Sequence, residues 1–281
     1  MTPSPDKLGI ILRVGMYVLI GWLSLILFAT LMQFVVPPDA YFLISALATF
    51  TAAALANTIT VRIYERGRLS DLGLGWTPAS AREFLIGAAT ASLSAIVILV
   101  GPLLFRVASF HSVPAAEHRA ASIIFVSVVL LFGAVGEEML FHGYAFQLLI
   151  RRLGAFATIF PAAILFGMAH LGNQNVTTLG IVNTVLWGIL LGYAYYRTGA
   201  LWLPIGLHFG WNVTLPLFGV NLSGFTMGVA GYALEWSAGT MWSGGAYGPE
   251  GSVLSTAVVV ALFVAVTRLF PEPPAQPERL V

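Results

Sequence analysis

Glu137 and Glu138 stand side by side within a long apolar stretch, in the run Gly136-Glu137-Glu138-Met139-Leu140-Phe141-His142-Gly143. An ionisable side chain inside a membrane-spanning segment costs about 2.5–3.5 kcal/mol on insertion scales and is a functional feature by default. Neighbours on a helix point about 100° apart, so one carboxylate can face a cavity while the other braces an adjacent helix. Two carboxyl groups in low dielectric resist joint ionisation, which suits one of them to general-base chemistry near neutral pH. His142, four residues after Glu138, falls on the same helix face and can pair with it.

Two further polar clusters follow. Phe166-Gly167-Met168-Ala169-His170 ends an apolar segment on a histidine, whose neutral ring can hydrogen-bond a water or bind a metal. His208-Phe209-Gly210-Trp211-Asn212 places a His and an Asn one turn apart, two donors able to stabilise an oxyanion. Pro204 and Gly206 just before should loosen that helix and let another backbone approach. Taken singly, each cluster also reads as an interhelical polar contact or ion-pair network. Three of them on three apolar segments, within 75 residues from Glu137 to Asn212, favour convergence on one buried site.

The elements that must position these residues are membrane spans. Hydrophobic residues make up 58% of the 281 and charged residues 9%, against roughly 25% charged in soluble domains. About eight spans are expected, an all-α transmembrane bundle, near 8–36, 40–62, 83–107, 120–150, 155–171, 176–196, 200–219 and 252–270. The first is too long for a signal-peptide core and is read as a span. Alternate loops, starting with the N-terminus, hold 11 of the 13 Lys and Arg residues, and Arg106 and Arg119 stand opposite. That bias predicts both termini in the cytoplasm, in a multi-pass protein of the plasma (inner) membrane.

Four regions are expected. They are N-terminal spans over 1–118 with a cytoplasmic loop near 64–82, a core at 119–220, a cap with the last span at 221–270, and a disordered tail at 271–281. His111, Glu117 and His118 are read as solvated loop residues. Cysteine is absent, which excludes disulfides, thiolate metal sites and a cysteine nucleophile. The net charge of +1 gives no reason to expect nucleic acid. Neither a Gly-x-Ser-x-Gly elbow nor a His-Glu-x-x-His motif occurs.

At its three polar clusters the sequence resembles the CAAX prenyl protease and bacteriocin-processing family of glutamic intramembrane proteases. That family's motifs, Glu-Glu-x-x-x-Arg, Phe-x-x-x-His and His-x-x-x-Asn, stand here as Glu137-Glu138 with His142, Phe166 with His170, and His208 with Asn212. The resemblance covers about residues 120–215, and His142 occupies the family's arginine position. It implies that Glu137 activates a water oriented by His170, that His208 and Asn212 hold the oxyanion, and that Glu138 is structural, paired with His142. It implies membrane-associated or prenylated peptide substrates. No cofactor is expected, and zinc at the same two His and two Glu is the alternative. The competing functions are a non-catalytic scaffold or immunity protein of the same fold, and a transporter using Glu137, Glu138 and His170 as a proton relay.

Overall fold

Helices occupy each of the expected apolar segments in a computed structural model of the chain, which describes residues 7–37, 40–114 and 119–270. In chain order they are α1 (Lys7–Met32), α2 (Tyr41–Glu65), α3 (Pro78–Leu104), α4 (Arg119–His142), α5 (Tyr144–Leu153), α6 (Ala155–Ala169), α7 (Thr178–Thr198), α8 (Trp202–Leu217), the short α9 (Thr240–Ser243) and α10 (Val253–Leu269). Five units are long and apolar enough to cross a membrane: α1, α2, α3, the α4–α5 pair and α7. α6 and α10 are shorter apolar helices. The protein is an all-α membrane bundle whose outer helices turn apolar side chains such as Trp22, Leu93 and Phe156 outward, as a lipid-facing surface requires. The expected tail at 271–281, and Glu117 and His118, lie outside the described residues.

Helix ends follow local chemistry. Thr77, Thr177 and Ser252 cap α3, α7 and α10 by accepting from Ser80 N, Gly180 N and Ser255 N. Pro204 lies in the first turn of α8, where a missing N–H leaves no bond unmade. The helix therefore runs on regularly past it, contrary to the expected loosening. Close approach does occur at Gly206, however. A Cβ there would fall on the Phe84 carbonyl oxygen and 3.0 Å from Ala88 N of α3. Small residues let backbones meet in this way where lipid offers no hydrophobic drive between helices.

The expected single span over 120–150 is broken in two at Gly143. Asn57 of α2, fully buried, clamps the break. Its Nδ2 donates to Met139 O (2.9 Å) and Ala53 O (2.8 Å), and its Oδ1 accepts from Tyr144 N (2.8 Å). The Tyr17 hydroxyl of α1 donates to the carbonyls of Met139 and Leu140, each at 2.8 Å. These bonds fix the end of the turn that carries Glu137 and Glu138. Asn57→Ala strands the buried Tyr144 N–H, while the Met139 carbonyl keeps the Tyr17 hydroxyl, so it should cost about 2 kcal/mol. A lowered midpoint of thermal unfolding in micelles would check this, and an unchanged midpoint would refute it.

A cap covers one end of the bundle. Strand β1 (Ala108–Ser112), after α3, pairs antiparallel with β2 (Tyr232–Trp236), Phe110 opposite Leu234. His111 is exposed on β1 and faces Glu235 at 3.4 Å, so the solvated reading holds for it while the loop expectation does not.

Candidate active site

Six helices, α1, α2, α4, α6, α7 and α8, together with the cap, line a cavity of about 500 Å³. Glu137 of α4, His170 at the end of α6, and His208 and Asn212 of α8 all line it. The two glutamates diverge as their helical spacing predicts. Glu138 is fully buried and turned away from the cavity, whereas the Glu137 side chain keeps 31% of its surface accessible.

Glu138 binds two histidines. Its Oε2 lies 2.6 Å from His142 Nδ1 and its Oε1 lies 2.8 Å from His208 Nδ1. A carboxylate only accepts, so both rings present a protonated Nδ1. The sequence anticipated the His142 contact at i,i+4. The bond to His208, which ties α4 to α8, was not anticipated. His142 sits where the resembled family has arginine, is almost completely buried, and packs edge-on against Phe146 with ring centroids 4.8 Å apart.

His170 is oriented from behind by its own helix. Its Nδ1 donates to the Phe166 carbonyl oxygen at 2.8 Å, which leaves Nε2 of the neutral ring as an acceptor. Phe166 packs against the rings of His170, His208 and Phe141, with centroids 4.7, 6.1 and 5.1 Å away. Both Nε2 atoms then point at one oxygen. His170 Nε2 and His208 Nε2 each lie 3.9 Å from Glu137 Oε2, which is buried and has no hydrogen-bond partner. That gap is too long for a direct hydrogen bond.

Three sidewall features were not read from the sequence. Trp187 of α7 and Trp211 of α8 line the cavity with ring centroids 5.0 Å apart. Glu250 reaches it from the turn between the cap and α10. Burial pushes the Glu250 carboxyl up from its ordinary range, and donors from Ser223 partly offset this. No signal in the glycine-rich stretch around Glu250 marked it.

For a metal, the donors are poorly set. Tetrahedral zinc with bonds of about 2.1 Å needs ligand atoms roughly 3.4 Å apart. The Glu137–His170 and Glu137–His208 separations are 3.9 Å, and both Glu138 oxygens are committed to histidine. Among the described residues, no group of three or more His, Asp, Glu or Cys side chains could hold a metal ion.

Comparison with curated proteins finds no match. A family model described as type II CAAX prenyl endopeptidase Rce1-like matches residues 118–214, about a third of the chain. The matched segment runs from α4 into α8 and contains Glu137, Glu138, His142, Phe166, His170, His208 and Asn212. Over residues 118–214 the chain is similar to the type II CAAX prenyl endopeptidases that this Rce1-like model describes.

Proposed function

We propose that the protein is an intramembrane endopeptidase that hydrolyses a peptide bond in membrane-associated or prenylated substrates, with Glu137 as general base and no metal. The observation that carries this reading is the convergence of Glu137 Oε2 with two imidazole Nε2 atoms, each 3.9 Å away, at the wall of one cavity. Water bound there gives a proton to Glu137 and is held by the His170 Nε2 lone pair. Its oxygen attacks the peptide carbonyl carbon. The developing oxyanion takes hydrogen bonds from the Asn212 amide and from His208, whose Nε2 donates when the ring is protonated. Collapse of the tetrahedral intermediate breaks the C–N bond, and Glu137 passes its proton to the leaving amine. Buried, preorganised donors of this kind act in low dielectric without reorganising. Eight crossings, with both termini in the cytoplasm of an inner-membrane protein, complete the proposal, with α6, α8 and α10 as short spans inside the bundle.

Glu137→Gln should reduce cleavage of a farnesylated peptide by purified protein on the order of a thousandfold. Its thermal midpoint should hold, because Glu137 Oε2 has no hydrogen bond to lose. A zinc chelator should leave the wild-type rate unchanged. An active Glu137→Gln protein would overturn the general-base assignment, and chelator sensitivity would overturn the metal-free one.

A further inference from the structure

Beyond the matched segment, the cap contributes an acid to the cavity. Glu250 sits in a single 3-10 turn, Pro249–Gly251, just before α10. Its position is fixed from both sides. Asn183 of α7, fully buried, donates through Nδ2 to the carbonyls of Glu250 and Ser252, each at 2.8 Å, and its Oδ1 accepts from Thr256. The Glu250 Oε2 accepts from the backbone N–H and the hydroxyl of Ser223, which is itself part of the cavity wall. The indole N–H of Trp211 lies near the carboxyl and stabilises it without a well-formed hydrogen bond.

The remaining lining decides what such a group can do. The cavity wall holds two carboxyl side chains, Glu137 and Glu250, and no Lys or Arg among the described residues. Glu138 stands directly behind it. A buried carboxyl whose donors are two Ser223 groups and a distant indole is under-compensated. Three partners relieve it: a proton, a water, or a cation delivered by the ligand. An acidic group brought to the same place meets like charge, offset only by the imidazoles of His170 and His208 when they are protonated, and is penalised.

We propose that Glu250 is a specificity-determining residue, and that the cavity favours a peptide with a basic side chain beside it over one with an acidic side chain there. This inference rests on the endopeptidase reading for the identity of the ligand as a peptide, but its test does not require turnover.

The probe is a set of dye-labelled farnesylated peptides, identical except that Lys, norleucine or Glu is moved through each position in turn. Binding to the full-length protein in dodecyl maltoside micelles is read by fluorescence anisotropy in the Glu137→Ala background. That background prevents cleavage and leaves Glu250 as the one carboxylate lining the cavity. At one position the Lys peptide should bind on the order of tenfold tighter than the Glu peptide. Adding Glu250→Gln should bring the two within about twofold, with the norleucine peptide little changed. A purely structural role for Glu250 would instead weaken all three together. Equal binding of Lys and Glu peptides at every position would overturn the proposal even if Glu250→Gln fails to fold. A Lys preference that survives Glu250→Gln would overturn it as well. Failure of the wild-type protein to cleave any peptide counts against the endopeptidase reading, and the binding ratios still decide this one.

Discussion

Glu138→Ala is expected to unsettle both the fold and the site, the reverse of what its neighbour does. The carboxylate is fully buried and accepts from His142 Nδ1 at 2.6 Å and His208 Nδ1 at 2.8 Å. Deleting it strands two buried imidazole N–H groups, each costing about 1–3 kcal/mol, and leaves a cavity in a packed wall. A loss of roughly 3–6 kcal/mol is a large fraction of the stability of an ordinary domain. The same change frees the His208 ring, which nothing else on the Nδ1 side holds. A catalytic group displaced by about 1 Å can cost on the order of a hundredfold in rate.

The measurement pairs thermal unfolding with kcat for Glu138→Ala, Glu138→Gln and Glu137→Gln. Glu138→Gln keeps one acceptor oxygen, so it should fall between Glu138→Ala and wild type on both axes. Glu137→Gln should lose activity alone. A Glu138→Ala protein with wild-type midpoint and wild-type kcat would show that the two histidines are placed by something else.

The contrast explains which parts of the site could be read in the sequence. Glu137, His170, His208 and Asn212 stood out because polar groups are costly in apolar segments, and their order matched a known set of motifs. The Glu138–His142 pair followed from helical spacing alone. The Glu138–His208 bond could not be read this way, because it depends on how α4 meets α8, a packing set by helices that carry no motif. The break at Gly143 was hidden for a similar reason. The apolar pattern runs straight through it, and the groups that cap it, Asn57 and Tyr17, come from α2 and α1. The β1–β2 pair joins segments on either side of several helices, so local periodicity held no trace of it. Glu250 combines both difficulties: it lies in an aperiodic glycine-rich stretch, and a buried Asn on another helix brings it to the cavity.

Position also governs the second large effect, expected for Gly206→Ala. α3 and α8 meet backbone to backbone. A Cβ on Gly206 would fall on the Phe84 carbonyl oxygen and 3.0 Å from Ala88 N, and a Cβ on the facing Gly87 would come 2.6 Å from Leu203 O. The atoms that either Cβ would meet are main chain, so no rotamer change can relieve the overlap and the helices must separate. Overpacking of this kind costs about 1–3 kcal/mol. The functional loss should be the greater, because His208 lies two residues further along α8 and must meet both Glu138 and Glu137. A shift of α8 by even about 1 Å would lower kcat on the order of a hundredfold, with a smaller change in KM. Gly101→Ala supplies the control on α3 itself, since a Cβ there meets nothing within 4 Å. In a helix interior that change should be neutral or slightly stabilising. If Gly206→Ala matches wild type in both midpoint and kcat, the α3–α8 contact does not set the position of His208. If it loses kcat while Gly101→Ala does not, the spacing between these two backbones is what holds the histidine in register with the glutamates.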